Sequence, residues 1–285
     1  MGNHHHQHHP AAETDSAAMA ELLDLDAEVL HSYLSDVIAR VHELAANLPR
    51  RRILDLGSGT GTGALALAQR FEGADVIALD ISAQLLDRLR DKARDLGVAD
   101  RVRTVQADLD AAWPATGIVD LAWASSSLHH MADPDRVLTK VFAALCPGGL
   151  LVVAEMDSFP RFLPDGPGPG RPGLEARCHA ALAEAQAAEV PHLGSDWGPR
   201  LSHAGFTIEA ERTFAIHLTP PLPAFTARYA EASLRRIRSG LDGRISADDL
   251  ATLDTLTDSD GPGSVLRRTD LSVRTARTVW VARRP

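Results

Sequence analysis

With 285 residues, 45% of them apolar, and a formal charge of −9, the chain can bury a substantial core as one large α/β domain with insertions or as two small domains. Its acidity argues against a general affinity for nucleic acid or anionic membrane. No run approaches the roughly 18 apolar residues of a membrane span and no signal-peptide pattern opens the chain. Two cysteines, Cys146 and Cys178, make a disulfide framework implausible and point to a reducing, cytoplasmic setting.

Residues 1–19 read as a histidine-rich tail or tag, opening Met1-Gly2-Asn3-His4-His5-His6-Gln7-His8-His9-Pro10. Adjacent histidines cannot all aim at one ion without a fixed backbone, so no metal is assigned there. Residues 20–50 form an N-terminal helical segment. Leu22, Leu23, Leu25, Val29, Leu30, Leu34, Val37, Ile38, Val41 and Leu44 recur at helical spacing over residues 20–47, and Pro49 closes it.

From residue 51 to 156 strands and helices alternate. The strand-like runs are Arg52–Leu56, Asp75–Asp80, Arg101–Ala107, Ile118–Ala124 and Leu150–Glu155. Helix-like runs lie near 63–71, 82–97 and 134–145, with Ser82 as a cap, Gly97 as a terminator and Pro134 at a first turn. Such alternation builds a parallel sheet covered on both faces. After Glu155 a proline- and glycine-rich loop begins, followed by a helix over Leu174–Glu189. Residues 157–200 read as a loop-and-helix cap over the sheet's carboxyl edge, where long insertions carry specificity. Residues 201–285 return to the sheet with strands Phe206–Leu218 and Leu271–Ala282, separated by helices near 220–240 and 246–256.

The turn Gly57-Ser58-Gly59-Thr60-Gly61-Thr62-Gly63 follows the first strand directly. Glycines there let backbone approach a ligand, with a helix N-terminus just beyond. The turn alone leaves the ligand open, since Gly59, Gly61 and Ala64 also fit the loose dinucleotide pattern. Three acids bear on the choice. Asp55 precedes the turn, where a carboxylate repels pyrophosphate and suits an ammonium. Asp80 ends the second strand, about 20 residues on, where an acid accepts ribose hydroxyls. Asp108, beside Leu109, ends the third, where a carboxylate can accept from an adenine amino group. Each also has an ordinary role as a cap or turn residue.

Together these stretches resemble the class I S-adenosylmethionine-dependent methyltransferases, and within them the ubiquinone/menaquinone-biosynthesis-like subgroup. The likeness runs over roughly residues 50–156. It is carried by Ile53-Leu54-Asp55-Leu56-Gly57-Ser58-Gly59-Thr60-Gly61, Val76-Ile77-Ala78-Leu79-Asp80-Ile81-Ser82, Gln106-Ala107-Asp108-Leu109, the stretch Asp120 to Pro134 with its Ser125-Ser126-Ser127-Leu128-His129-His130, and Cys146-Pro147-Gly148-Gly149-Leu150. The resemblance implies a doubly wound, Rossmann-like α/β fold. Its seven-stranded, mostly parallel sheet has an antiparallel last strand, with an N-terminal helix and helical cap insertions. It implies S-adenosyl-L-methionine as cofactor, held by Asp55, Gly57, Ser58, Gly59, Asp80, Ile81, Ala107, Asp108, Leu109, Ser125 and His130.

Candidate catalytic residues are His129, His130 and Tyr33. The histidines suit proton removal because an unperturbed imidazole titrates near pH 6.5, and Tyr33 lies on the helix that closes over the cofactor in related folds. Packing and loop bonding by the histidines, and a core-facing Tyr33, are the plainer alternatives. Asp157, His179, His192, Trp197 and Tyr229 are further pocket candidates, and Arg228, Arg235, Arg236 and Arg238 share one helix as a solvated face or a site for an acidic acceptor. The reading is a small-molecule methyltransferase acting on carbon, nitrogen or oxygen, with a homo-oligomer left open. An Ala- and Arg-rich chain with two lysines, Lys92 and Lys140, suggests a high-GC bacterial source and specialised-metabolite tailoring. The rivals are an NAD-dependent oxidoreductase and a cofactor-binding protein without methyl transfer.

Overall fold

The computed structural model describes residues 10–49, 52–166, 170–187 and 190–285. The histidine run before Pro10, Pro167-Gly168-Pro169 and the expected helix end at Glu189 lie outside them. One seven-stranded sheet organises the chain, in the order β3-β2-β1-β4-β5-β7-β6. Its strands are β1 (Arg52–Leu56), β2 (Asp75–Asp80), β3 (Val102–Gln106), β4 (Val119–Ser125), β5 (Leu145–Arg161), β6 (Thr207–Leu218) and β7 (Val273–Arg283). The first five pair in parallel, while β7 runs antiparallel to both β5 and β6. The order reverses at β1, so the crevice between the carboxyl ends of β1 and β4 is where such a sheet binds ligands.

The helices α3 (Thr62–Arg70), α4 (Ala83–Asp95) and α5 (Pro134–Ala144) connect these strands. Ser82 Oγ accepts from the Leu85 amide at 3.3 Å, and Asp133 caps α5 with Pro134 in its first turn. Both sheet faces are apolar, as a doubly covered sheet requires. On one, Ile53, Val76, Leu121, Trp123, Val152 and Val281 meet α3, α4 and α2 (His31–Leu44). On the other, Leu54, Leu56, Ile77, Leu79 and Leu151 meet α5 and a short helix α7 (Gly198–His203). A third cluster joins α1 (Pro10–Val29), α6 (Leu174–Gln186), α8 (Thr226–Ser239) and α9 (Ala247–Thr257) through Leu25, Val29, Phe162, Leu174, Tyr229 and Leu253.

Three elements depart from the sequence reading. The single helix expected over residues 20–47 is two: α1 starts at Pro10, where proline suits a first helical position, and the axis breaks at Leu30 (φ −101°, ψ 18°). The break divides one apolar stripe between two cores. Leu25, Val29 and Leu30 enter the helical cluster, while Tyr33, Val37, Ile38 and Val41 face the sheet. Strand β5 starts at Leu145 and runs to Arg161, through the residues expected to begin the irregular loop. Register shifts against β7 after Met156 and Ser158 accommodate Pro160 there. Helix α7, six residues long, carries too little periodicity to be seen in sequence.

Candidate functional site

The glycine turn is pinned to the end of β2. The Ser58 amide donates to Leu79 O at 2.8 Å, and the Gly59 amide donates to Asp80 Oδ2 at 2.8 Å. Gly57 sits at φ +65°, and a Cβ there would lie 2.5 Å from Ser127 Cβ. Glycine is therefore required both by conformation and by the approach of the loop after β4. Asp80 Oδ1 accepts from the Ser82 amide at 2.8 Å. Each carboxylate oxygen keeps a lone pair for a further donor. Beside it the Ile81 side chain is 64% exposed, an unusual state for isoleucine.

Asp55 lies beneath the first turn of α3, 2% exposed. The Ala64 amide donates to its carboxylate, yet Oδ2 has no partner. Burial pushes its pKa up to about 7; the Ala64 bond opposes the shift and Asp80 adds to it. Asp108 Oδ1 accepts from the amides of Asp110 (2.9 Å) and Ala111 (3.2 Å), which shapes the turn after β3. Leu109 is buried beside it, and the half-buried Ala107 donates its amide to Asp80 O at 2.9 Å.

At the end of β4, Ser125 is half-buried, and the next residue, Ser126, adopts φ +50°, a left-handed strain uncommon for a non-glycine residue. His129 is buried (3%) with Nδ1 2.5 Å from Glu155 Oε2. Glu155 Oε1 accepts from the amides of Ser127 (3.0 Å) and Leu128 (2.8 Å). One carboxylate within β5, beside the end of β4, thus organises the whole loop. His130 packs against His129 with ring centroids 4.1 Å apart and planes tilted by 46°, and presents an exposed surface. Desolvation first, then His129, lowers its pKa to about 4, so the ring is neutral near pH 7.

Helix α1 lies across this edge. Leu23 Cδ1 stands 3.2 Å from where a Gly59 Cβ would be. Asp24 accepts from Thr60 Oγ1 (2.6 Å) and pairs with Arg88 and Lys92 of α4. Tyr33 is buried, packs edge-on against Phe214 with centroids 5.0 Å apart, and leaves its hydroxyl without a partner. Burial raises its pKa to about 12, so it stays protonated at neutral pH.

The structure therefore brings Asp55, Gly57, Ser58, Gly59, Asp80, Ile81, Ala107, Asp108, Leu109, Ser125, His129 and His130 to the carboxyl edge of β1–β4, with Tyr33 on its flank. Trp197 is elsewhere, wholly buried on the opposite sheet face, and His192 stands near it. His179 packs edge-on with Phe159, and Asp157 Oδ2 accepts from Thr278 Oγ1 at 2.9 Å. Arg228, Arg235 and Arg238 are committed to Glu21, Glu231, Asp242 and Asp254. Sequence reasoning missed Glu155, Asp26 and Arg277. Glu155 ends the strand that the sequence suggests over Leu150–Glu155, the same signal as Asp80, although β5 continues past it to Arg161; Arg277 announces itself only as a charge inside a strand rich in apolar residues. Among the described residues no three His, Cys, Asp or Glu side chains converge on a metal site, and no helix is long and apolar enough to cross a membrane.

Comparison with known proteins bears on the fold and on the family the chain resembles. Residues 53–149 match the family described as Methyltransferase domain. The chain is 35% identical over 122 residues to demethylmenaquinone methyltransferase of Thermus thermophilus, covering 43% of this chain and 54% of that one. It is 36% identical over 152 residues to 27-O-demethylrifamycin SV methyltransferase of Amycolatopsis mediterranei, covering 48% and 55%. In three dimensions it is similar to a candidate methyltransferase from Bacillus halodurans C-125, with TM-score 0.55 and 19% identity over 87% of this chain and 98% of that one; that likeness concerns the fold. The chain thus resembles methyltransferases through this one domain. It spans about half the length of the two curated relatives just described.

Proposed function

We propose that the protein transfers a methyl group from S-adenosyl-L-methionine to a small organic acceptor. The observation that carries this is the acid-lined glycine turn: Asp55 beneath it, Asp80 bonded to the Gly59 amide, and Asp108 at the next strand end. The residues fit the cofactor. Asp55 Oδ2 is a buried acceptor lacking a donor, as an ammonium would supply. Asp80 retains lone pairs for two ribose hydroxyls, and the exposed Ile81 and buried Leu109 offer apolar surface to a base. A dinucleotide fits worse, because the Ala64 amide at the α3 N-terminus, where a pyrophosphate would sit, already serves the Asp55 carboxylate.

When bound, the cofactor supplies a methyl group already activated on a sulfonium. The chain's own work is then alignment of the acceptor and, where needed, removal of one proton. His130, neutral and exposed at the edge, is the residue suited to accept that proton. His129 holds the loop through Glu155, and Tyr33 keeps its proton and closes the flank. The relatives' names span quinone and rifamycin acceptors, which supports a small-molecule acceptor and specialised metabolism as a setting. A cytoplasmic location and action without a nucleic-acid partner belong to the same reading, on the acidic charge.

The test is incubation with methyl-labelled S-adenosylmethionine and a panel of quinols, phenols, amines and carboxylic acids, read by mass spectrometry. A product heavier by one labelled methyl group supports the proposal. Retained cofactor with no product from any acceptor supports a binding protein of the same fold instead.

A further inference from the structure

The buried charges at this edge that cofactor binding does not use meet at Arg277. We propose that Arg277 receives a carboxylate carried by the methyl acceptor, and that Asp26 of α1 holds that place until the acceptor arrives. The inference rests on the methyltransferase reading above and narrows its acceptor to carboxylate-bearing small molecules.

Arg277 stands opposite Met156 of β5, two positions beyond Val279, which pairs with Ala154 beside Ser125. Residues paired across a sheet share a face, so the arginine projects on the same face as Ser125 and Asp55, one step nearer the carboxyl edge. Its side chain is 7% exposed and a guanidinium stays charged at any working pH, so it requires an anion. That anion is Asp26, whose Oδ1 lies 2.5 Å from Nη2 and also accepts from the Tyr229 hydroxyl. The rest of the fork is poorly served. Nε has no partner, Nη1 reaches the strained Ser126 only at 3.4 Å, and the Tyr33 hydroxyl beside it, with its ring 5.8 Å from the guanidinium carbon, is also unpartnered. A ligand carboxylate bound through two oxygens would satisfy more of these donors than one Asp26 oxygen does.

Asp26 is placed as a temporary partner. At 26% side-chain exposure it stands between the guanidinium and solvent. It lies in the last turn of α1, which has no basic residue and where acids oppose the helix dipole. Leu25 and Val29 anchor α1 in the helical core, so the helix stays in place, while the part-exposed Asp26 side chain is free to turn toward solvent. Turning Asp26 aside leaves Arg277 charged and unpaired beside Ser126 and the His130 loop. A carboxylate from solution replaces what Asp26 supplied, whereas a neutral or cationic acceptor leaves the buried charge uncompensated and is selected against.

The protein loaded with S-adenosylhomocysteine is titrated by calorimetry with matched acids and amides: acetate and acetamide, benzoate and benzamide, 4-hydroxybenzoate and 4-hydroxybenzamide. At least one acid is expected to bind the wild type tenfold or more tightly than its amide. Asp26→Asn is expected to bind that acid more tightly still, and Arg277→Gln to lose the preference. The double variant Asp26→Asn/Arg277→Gln, which removes both charges together, guards against misfolding and should also show none. No acid preference in the wild type overturns the inference. So does acetate binding confined to Asp26→Ala, the signature of a purely structural counter-ion. Failure of the wild type to bind S-adenosylhomocysteine before any acid is added sinks the methyltransferase reading, and this inference with it.

Discussion

Replacing Asp55 by Asn keeps the shape of the side chain and removes its titration. Folding raises the Asp55 pKa from 3.8 to about 7, chiefly through burial. A folded-state pKa above the unfolded one means the native state holds the proton more tightly. The Asp55 contribution to wild-type stability therefore falls as pH rises from about 4 to about 7 and is level above that. At about 1.4 kcal/mol per unit, the cost at pH 8 is about 4 kcal/mol relative to the neutral carboxyl. Asn has no such dependence, and any penalty for its amide is independent of pH. The stability difference between Asp55→Asn and wild type should thus grow by about 4 kcal/mol in favour of the variant between pH 4 and pH 8. Urea unfolding of the ligand-free proteins at half-unit pH steps measures it, because every other titrating group cancels in the difference. A difference flat with pH, or one growing the other way, refutes the buried, donor-poor environment assigned to Asp55. The same variant should bind S-adenosylhomocysteine more weakly, since the ammonium would lose its carboxylate.

Asp80→Ala should weaken S-adenosylhomocysteine binding at least tenfold by calorimetry while retaining the native circular dichroism, since the proposed site has this side chain take the ribose hydroxyls beside the two backbone amides it already serves; unchanged affinity removes Asp80 from the site. His129→Ala and His130→Ala should separate stability from turnover. The first leaves buried Glu155 short of a donor and should cost about 3 kcal/mol in urea unfolding. The second should leave stability nearly unchanged and lower kcat by roughly 10²-fold or more if His130 takes the proton. With its pKa near 4, that base stays competent from pH 5 upward, so the rate it supports should fall only as pH drops through about 4. Gly57→Ala combines a left-handed backbone with a 2.5 Å approach to Ser127 Cβ and should cost about 2 kcal/mol or more; a stable variant would mean the two loops are not packed as described.

The sheet was legible because its strands are short apolar runs punctuated by glycine, proline and acids. β1 and β2 keep the bounds that their residues suggest. The cofactor edge was legible for the same reason: Asp55, Asp80 and Asp108 each lie within two residues of a strand's carboxyl end. What sequence hid depends on pairing between distant segments. The extension of β5 to Arg161 follows from its antiparallel partner β7, not from its own proline-containing residues. The break at Leu30 follows from two cores competing for one helical stripe. His129 looked like a base and is tied to Glu155, 26 positions away. Arg277 looked like an interruption of a strand, and its partner Asp26 lies 251 positions distant.

On the proposed function, this turn and its acids hold S-adenosylmethionine rather than a dinucleotide. Calorimetric titration of the ligand-free wild type with S-adenosylhomocysteine and, separately, with NADH addresses it directly. One equivalent of S-adenosylhomocysteine is expected to bind, with no heat from NADH. Tight NADH binding with none of S-adenosylhomocysteine would contradict it.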